Sequence, residues 1–163
     1  MKISRKWAMP NSNTFSIKPV NELVRRYMEG TVLVADPFAN TSKIAHVTND
    51  LDPSVGADYC MDAIDFLKTL ETGTVCGVLF DPPYTNRQIT EHYTRLGRTV
   101  TAKDTQSSYW GNLKTEIARI VKAGGWCITC GWNSGVLALP EGSRSKKFCW
   151  CPTAAGITTP LLR

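Results

Sequence analysis

Short apolar runs alternate with amphipathic stretches along the chain, and turn residues separate them. Four runs have the composition of β-strands: TVLVA (31–35), the weaker IAHVTN (44–49), VCGVLF (75–80) and WCITC (126–130). Apolar residues at helical spacing, bounded by Pro, Asn or Gly, predict helices over residues 21–28, 61–70 and 111–122. Strands that alternate with helices over short loops predict an α/β fold with a mostly parallel sheet.

Three of the predicted strands are followed by an aspartate: Asp36, Asp50 and Asp81. Open α/β sheets bind their ligands beyond the carboxyl ends of the strands. We therefore expect these three carboxylates to mark the functional edge of the sheet.

The last of these aspartates opens the sequence Asp81-Pro82-Pro83-Tyr84. Because proline has no N–H, two prolines stiffen the turn and leave the Pro82 carbonyl without a local partner. This carbonyl and the Asp81 carboxylate are two fixed acceptors, which match the two hydrogens of one exocyclic amine. Tyr84 offers a flat face on which a flipped base would stack. The pattern indicates activation of an aromatic amine towards an electrophilic methyl group, and the alternative is a rigid turn capped by aspartate.

Length and composition favour a single domain over residues 1–163 with no membrane partner. The chain has 163 residues, of which 42% are hydrophobic, and no stretch approaches the roughly 20 apolar residues that span a bilayer. Its net charge of +5 is uneven, because residues 30–84 hold two lysines against eight acids. Basic segments flank this acidic middle, with six Lys/Arg against two acids over 1–29 and seven against three over 85–123. The basic segments could form a surface for a polyanion beside a site in the acidic middle. Alternatively, all of these charges could lie on ordinary solvated faces.

The six cysteines do not form a framework. Cys127-x-x-Cys130 lacks a second ligand pair of suitable spacing, and Cys76 and Cys127 lie in apolar runs, where a reduced cysteine acts as a small hydrophobe. We predict no metal site and a reducing, cytoplasmic compartment.

Together the motifs resemble those of amino-methyltransferases that use S-adenosylmethionine, particularly small phage-type adenine-specific DNA methylases. The resemblance runs through most of residues 7–135: ADPFAN (35–40) is similar to the first cofactor motif, DPFxGxG, and FSIKP (15–19) to the amino-terminal motif. It implies a Rossmann-like three-layer sandwich. It also implies methyl transfer from S-adenosylmethionine to the N6 amine of adenine in double-stranded DNA, after base flipping.

The resemblance implies roles for single residues. Phe15 and Lys18 would flank the methionine part of the cofactor, Asp50 (with Asp52 as a competitor) would bind the ribose hydroxyls, and Asp62 would accept from the cofactor's adenine. The complete cofactor-binding set is Phe15, Lys18, Asp36, Phe38, Asn40, Asp50 and Asp62. The catalytic set is Asp81, Pro82, Pro83 and Tyr84. Asn40-Thr41-Ser42 replace the glycines of the family's cofactor loop, but Asn tolerates left-handed backbone geometry better than most residues, so cofactor binding is still expected.

We expect no separate target-recognition domain in this chain, so residues 85–112 are the candidate segment for binding DNA. They offer Arg87, Arg95, Arg98 and Lys103 to phosphates and Tyr93, Tyr109 and Trp110 as stacking surfaces, unless the segment is simply a solvated loop. An accessory protein or self-association would then contribute to specificity. Methylation of cytosine N4 or of RNA adenine uses the same pocket chemistry and stays open. An inactive methyltransferase-like module that binds nucleic acid also stays open.

The tail over residues 142–163 fits neither the family nor the pattern of the preceding chain. Methyltransferases of this type end with two more strands beside the fifth, and we predict that this chain lacks them and leaves the edge of its fifth strand uncovered. We hypothesise that the reading frame is shifted near Gly142, which the nucleotide sequence of the gene would test.

Overall fold

A computed structural model describes residues 2–6, 13–83, 86–97, 107–131, 144–149 and 157–161. Seven strands form one sheet: β1 (Lys2–Lys6), β2 (Val34–Asp36), β3 (Val47–Thr48), β4 (Val75–Phe80), β5 (Val121–Gly131), β6 (Arg144–Cys149) and β7 (Ile157–Leu161). Their order is β1-β7-β6-β5-β4-β2-β3. The pairings from β6 to β3 are all parallel, whereas β7 is antiparallel to both of its neighbours.

Helices cover both faces of this sheet. They are α1 (Lys18–Met28), α2 (Ala63–Thr69), α3 (Asn86–Arg95) and α4 (Ser107–Ile120), with 3-10 turns at Thr14–Ser16 and Pro53–Val55. One core cluster joins α2 and α4 to Val78 and Phe80, and a second joins α1 to Leu79, the residue between them. Because successive strand residues point to opposite faces, β4 is buried along its whole length. The predicted α/β fold with a mostly parallel sheet is confirmed.

Element positions follow the predicted pattern closely where burial dictates it. β4 has the predicted bounds. The ends of α2 lie within two residues of the predicted ends, and those of α4 within four. α1 begins three residues earlier than predicted, because Pro19 occupies its first turn. β2 begins at Val34 rather than at residue 31, and Val32 is 81% exposed.

The prediction that the tail lacks its terminal strands is wrong. β6 pairs in parallel with β5 from Trp126 to Gly131, and β7 joins the sheet beside it, so the edge of the fifth strand is covered. The backbone N–H and C=O groups at the edge of β5 need partners, and a strand of almost any composition supplies them. The segment 85–112 is also not simply a loop, since it holds α3 and the start of α4.

A tryptophan crosses the central strands at Gly77. Gly77 of β4 lies opposite Trp126 of β5, and a Cβ atom at Gly77 would come within 2.2 Å of the indole ring. Tyr27 of α1 meets the same indole edge-on, with ring centroids 5.6 Å apart. The glycine therefore lets a large aromatic side chain lie flat against the sheet under α1.

Among the residues that the structure describes, no helix is long and apolar enough to cross a membrane.

Candidate functional site

The site is built where β3, β2 and β4 end side by side. Asp36 is the last residue of β2, and its carbonyl accepts from the Asn49 N–H at 2.8 Å. Asp50 is the next residue after Asn49, just beyond the end of β3. Asp81 follows the last residue of β4, which pairs in parallel with β2. The charges of Asp50 and Asp81 both act on Asp36, so the three predicted carboxylates lie at one edge of the sheet.

Asp36 is fully buried. One of its carboxylate oxygens accepts from the Phe38 N–H at 3.1 Å, and the other is buried with no hydrogen-bond partner among the described residues. Burial raises the pKa of Asp36 to about 8, with smaller contributions from the Asp81 and Asp50 charges, although the Phe38 N–H opposes the rise. The group is therefore mostly protonated at neutral pH, and it has an oxygen available for a ligand.

Asp50 organises the loop Asn40-Thr41-Ser42 after β2. One carboxylate oxygen accepts from the Asn40 N–H at 2.8 Å, and the other accepts from the Asp52 N–H at 2.9 Å. Asn40 has a φ of +49°, which is the left-handed geometry that glycine usually provides. The loop therefore takes a glycine-like bend without glycine, and Asp50 fixes it.

The amino-terminal motif lies against the same loop. The Asn13 side-chain amide donates to the Thr41 hydroxyl at 3.0 Å, and Phe15, two residues later, is 5% exposed. Lys18 is exposed at the start of α1. Phe38 packs on Phe80, with ring centroids 6.0 Å apart, and so joins the loop after β2 to the residue before Asp81.

Asp62 is the N-cap residue before α2, and both of its carboxylate oxygens have partners. It caps the helix by accepting from the Ile64 N–H at 2.8 Å, and it accepts from the Tyr109 hydroxyl at 3.0 Å. Tyr109 and Trp110 are half-buried against the core beside α2, which limits their use as stacking surfaces for bases.

The expected phosphate-binding arginines that the structure describes are exposed and form ion pairs. Arg95, on α3, contacts the Asp52 carboxylate at 3.2 Å, and Arg87 contacts Glu91 at 2.7 Å.

Pro82 is buried and Pro83 is half-buried. Three predicted site residues lie outside the described residues: Tyr84, Arg98 and Lys103.

Two residues that hold the site in shape were missed from the sequence. Asn49 is 1% exposed, and its amide donates to the carbonyls of Pro37 and Met61 while accepting from the Met61 N–H, all at 3.1–3.2 Å. Asp58 accepts from both the N–H and the hydroxyl of Thr48, and these bonds lower the pKa of Asp58. A polar residue at the end of an apolar run was the available signal for Asn49.

Replacing Asn49 with Ala is expected to destabilise the protein by about 2–4 kcal/mol, because it leaves two carbonyls and one N–H of a buried segment without partners. Urea unfolding followed by circular dichroism measures the loss. Asn21→Ala, which removes a half-buried bond to the Phe15 carbonyl and an exposed bond from Arg25, is the control and should cost about 1 kcal/mol. An equal cost for both substitutions would contradict a clamping role for Asn49.

The Cys127 and Cys130 thiols face the interior. Both are buried, and burial raises the pKa of each thiol. In the described part of the chain, no group of three or more His, Cys, Asp or Glu side chains has the arrangement of a metal site.

The sequence matches no protein-family model, and no curated protein matches it.

Proposed function

We propose that this protein transfers the methyl group of S-adenosylmethionine to the N6 amine of adenine in DNA. The observation that carries the proposal is the set of carboxylates at the ends of three adjacent strands: Asp50 after β3, Asp36 at the end of β2 and Asp81 after β4. An amino-methyltransferase needs acids that hold its cofactor, which Asp36 and Asp50 would supply, and an acceptor for the target amine, which Asp81 before two prolines would supply.

The residues around Asp36 fit a polar cofactor. The Asp36 oxygen that has no partner among the described residues is a buried group that can hydrogen-bond a ligand, and the loop that Asp50 holds bends as a glycine loop would. Residues that would hold S-adenosylmethionine are Phe15, Lys18, Asp36, Phe38, Asn40, Asp50 and Asp62. When bound, this cofactor supplies a methyl group on a positively charged sulfur.

The protein's own contribution to the reaction comes from Asp81 and Pro82. The Asp81 carboxylate and the Pro82 carbonyl would each accept one N–H of the target amine. Two acceptors out of the ring plane favour a tetrahedral nitrogen, whose lone pair is no longer delocalised into the base. Tyr84 would stack on the flipped adenine and hold it there. Positioning and electrostatics are then sufficient, and no covalent bond to the protein is needed.

A methyl-transfer assay with product identification tests the proposal. The purified protein is incubated with tritiated S-adenosylmethionine and duplex DNA, and the digested nucleosides are separated. We expect the label in N6-methyldeoxyadenosine. Label in N4-methyldeoxycytidine, or transfer only to RNA, would instead favour the related amine chemistries. Absence of both methyl transfer and cofactor binding by calorimetry would contradict the proposal and favour an inactive binding module.

A further inference from the structure

A groove lies between the carboxyl-terminal half of α1 and the segment that follows the Asn40 loop. Its volume is about 550 Å³. Its lining residues are Arg25, Arg26, Met28, Glu29, Lys43 and Ile44. Three cations against one acid make it a basic groove, and no part of it belongs to the candidate cofactor site.

Two of these cations are held by neutral partners. The Arg25 Nε donates to the Asn21 side-chain oxygen at 2.7 Å, and the Lys43 ammonium donates to the Gly56 carbonyl. Asp58 is near enough for the charge of Lys43 to lower its pKa. Across the part of the chain that the structure describes, however, no carboxylate lies within 4 Å of the charged nitrogens of Arg25, Arg26 or Lys43. The side chains are therefore oriented without being neutralised.

Helix stability explains only part of this arrangement. Arg25 and Arg26 lie in the last turn of α1, where cations favour the helix dipole by about 0.3–1 kcal/mol. The dipole does not account for Lys43, which reaches the same groove from the segment between β2 and β3. Lys43 follows Asn40 by three residues, so a short segment of chain connects the groove to the loop that would hold the cofactor.

We propose that this groove binds a backbone phosphate of duplex DNA and so guides the strand towards the site. The inference rests on the proposed function, because a DNA methylase must hold a polyanion beside an acidic pocket. When cations that lack carboxylate partners neutralise a backbone phosphate, the counterions condensed on the DNA are released, which favours binding. The groove adds a second cationic surface to the one predicted in residues 85–112, on a different part of the chain.

DNA affinity measured across salt concentrations tests the groove without requiring catalysis. The double variant Arg26→Gln/Lys43→Gln is compared with Lys68→Gln/Lys114→Gln, which makes the same change of net charge on α2 and α4. Fluorescence anisotropy with a labelled duplex and no cofactor gives Kd. We expect the groove variant to bind about tenfold more weakly at low salt, with a salt slope smaller by roughly 0.9, and the control to change less than about twofold.

Each alternative outcome overturns the proposal. Equal losses in the two double variants would show a general charge effect, whereas a loss for duplex RNA but not DNA would assign the groove to another ligand. Broadening of the phosphorus NMR signal of inorganic phosphate by the wild type alone, with DNA affinity unchanged, would make it a free-phosphate site. Thermal melting checks that both double variants stay folded. DNA binding through the groove without methyl transfer would leave this inference standing while the proposed function fails.

Discussion

Asp81→Asn is expected to lower the rate of methyl transfer to DNA by about a hundredfold to a thousandfold while leaving cofactor binding intact. Asparagine has nearly the same shape, but it replaces a charged acceptor with a neutral amide that can also present a donor to the target amine. Interactions with the developing charge on nitrogen are weakened, whereas the loop held by Asp50 is left in place. Initial rates with tritiated cofactor, together with calorimetric titration of the cofactor, separate these two effects.

Asp65→Asn is the matched control for this experiment. Asp65 lies in the first turn of α2 and is exposed, with Lys68 as its partner at 3.4 Å. The same chemical change at Asp65 should leave the transfer rate within about twofold, because an exposed ion pair contributes little. If the Asp81→Asn variant transfers methyl groups at the wild-type rate, Asp81 has no part in the chemistry. Loss of cofactor binding together with activity would assign it a structural role instead.

Asp36→Asn is expected to stabilise the protein increasingly as the pH rises. The raised pKa of Asp36, about 8, means that the unfolded chain releases this proton near pH 4 while the folded chain retains it. Wild-type stability attributable to Asp36 is thus fully present below about pH 4 and declines until about pH 8. At pH 9 the variant should be more stable by on the order of 6 kcal/mol, and below pH 4 the difference should be close to zero.

Asp58→Asn provides a control of opposite sign. Hydrogen bonds from Thr48 lower the pKa of Asp58, so this carboxylate contributes stability above its ordinary pKa and loses it as the pH falls through its lowered value. Asp58→Asn should therefore destabilise the protein at neutral pH and have little effect in strong acid. Urea unfolding from about pH 2 to pH 9 measures both variants. A pH-independent difference for Asp36→Asn would contradict burial of a titrating group at Asp36.

Measuring cofactor affinity in Asp36→Asn tests why a destabilising aspartate occupies this position. If Asp36→Asn is more stable at neutral or higher pH but binds S-adenosylmethionine more weakly, the buried acid is retained for the ligand rather than for folding. This trade between stability and activity is common where a binding site holds a group that the fold alone would not favour.

Burial patterns predicted the centre of the fold and the meeting of three aspartates at one edge of the sheet. VCGVLF has the composition of a strand buried on both faces, and β4 has those bounds. Asp36, Asp50 and Asp81 were expected at one edge because the topology of parallel strands brings their ends together. The left-handed geometry of Asn40 agrees with the tolerance of Asn for that conformation.

Contacts between distant segments were beyond the reach of the sequence. The bond from Tyr109 to Asp62 and the ion pair from Arg95 to Asp52 join residues 47 and 43 positions apart, and no local pattern encodes them. The tail strands were missed because the sequences of β6 and β7 lack the apolar alternation of a strand with one buried face. β6 pairs with the open edge of β5, and β7 pairs with β6 and β1, so both pairings depend on neighbouring strands rather than on a pattern within the tail.

The contact between Gly77 and Trp126 restricts how these two positions can vary. Any side chain at residue 77 would have to displace the indole, and a smaller residue at 126 would open a hole under Tyr27. Neither change is tolerable alone, so substitutions at the two positions should occur as compensating pairs in homologous chains. Tyr27 of α1, which packs on the indole, should vary together with these two positions.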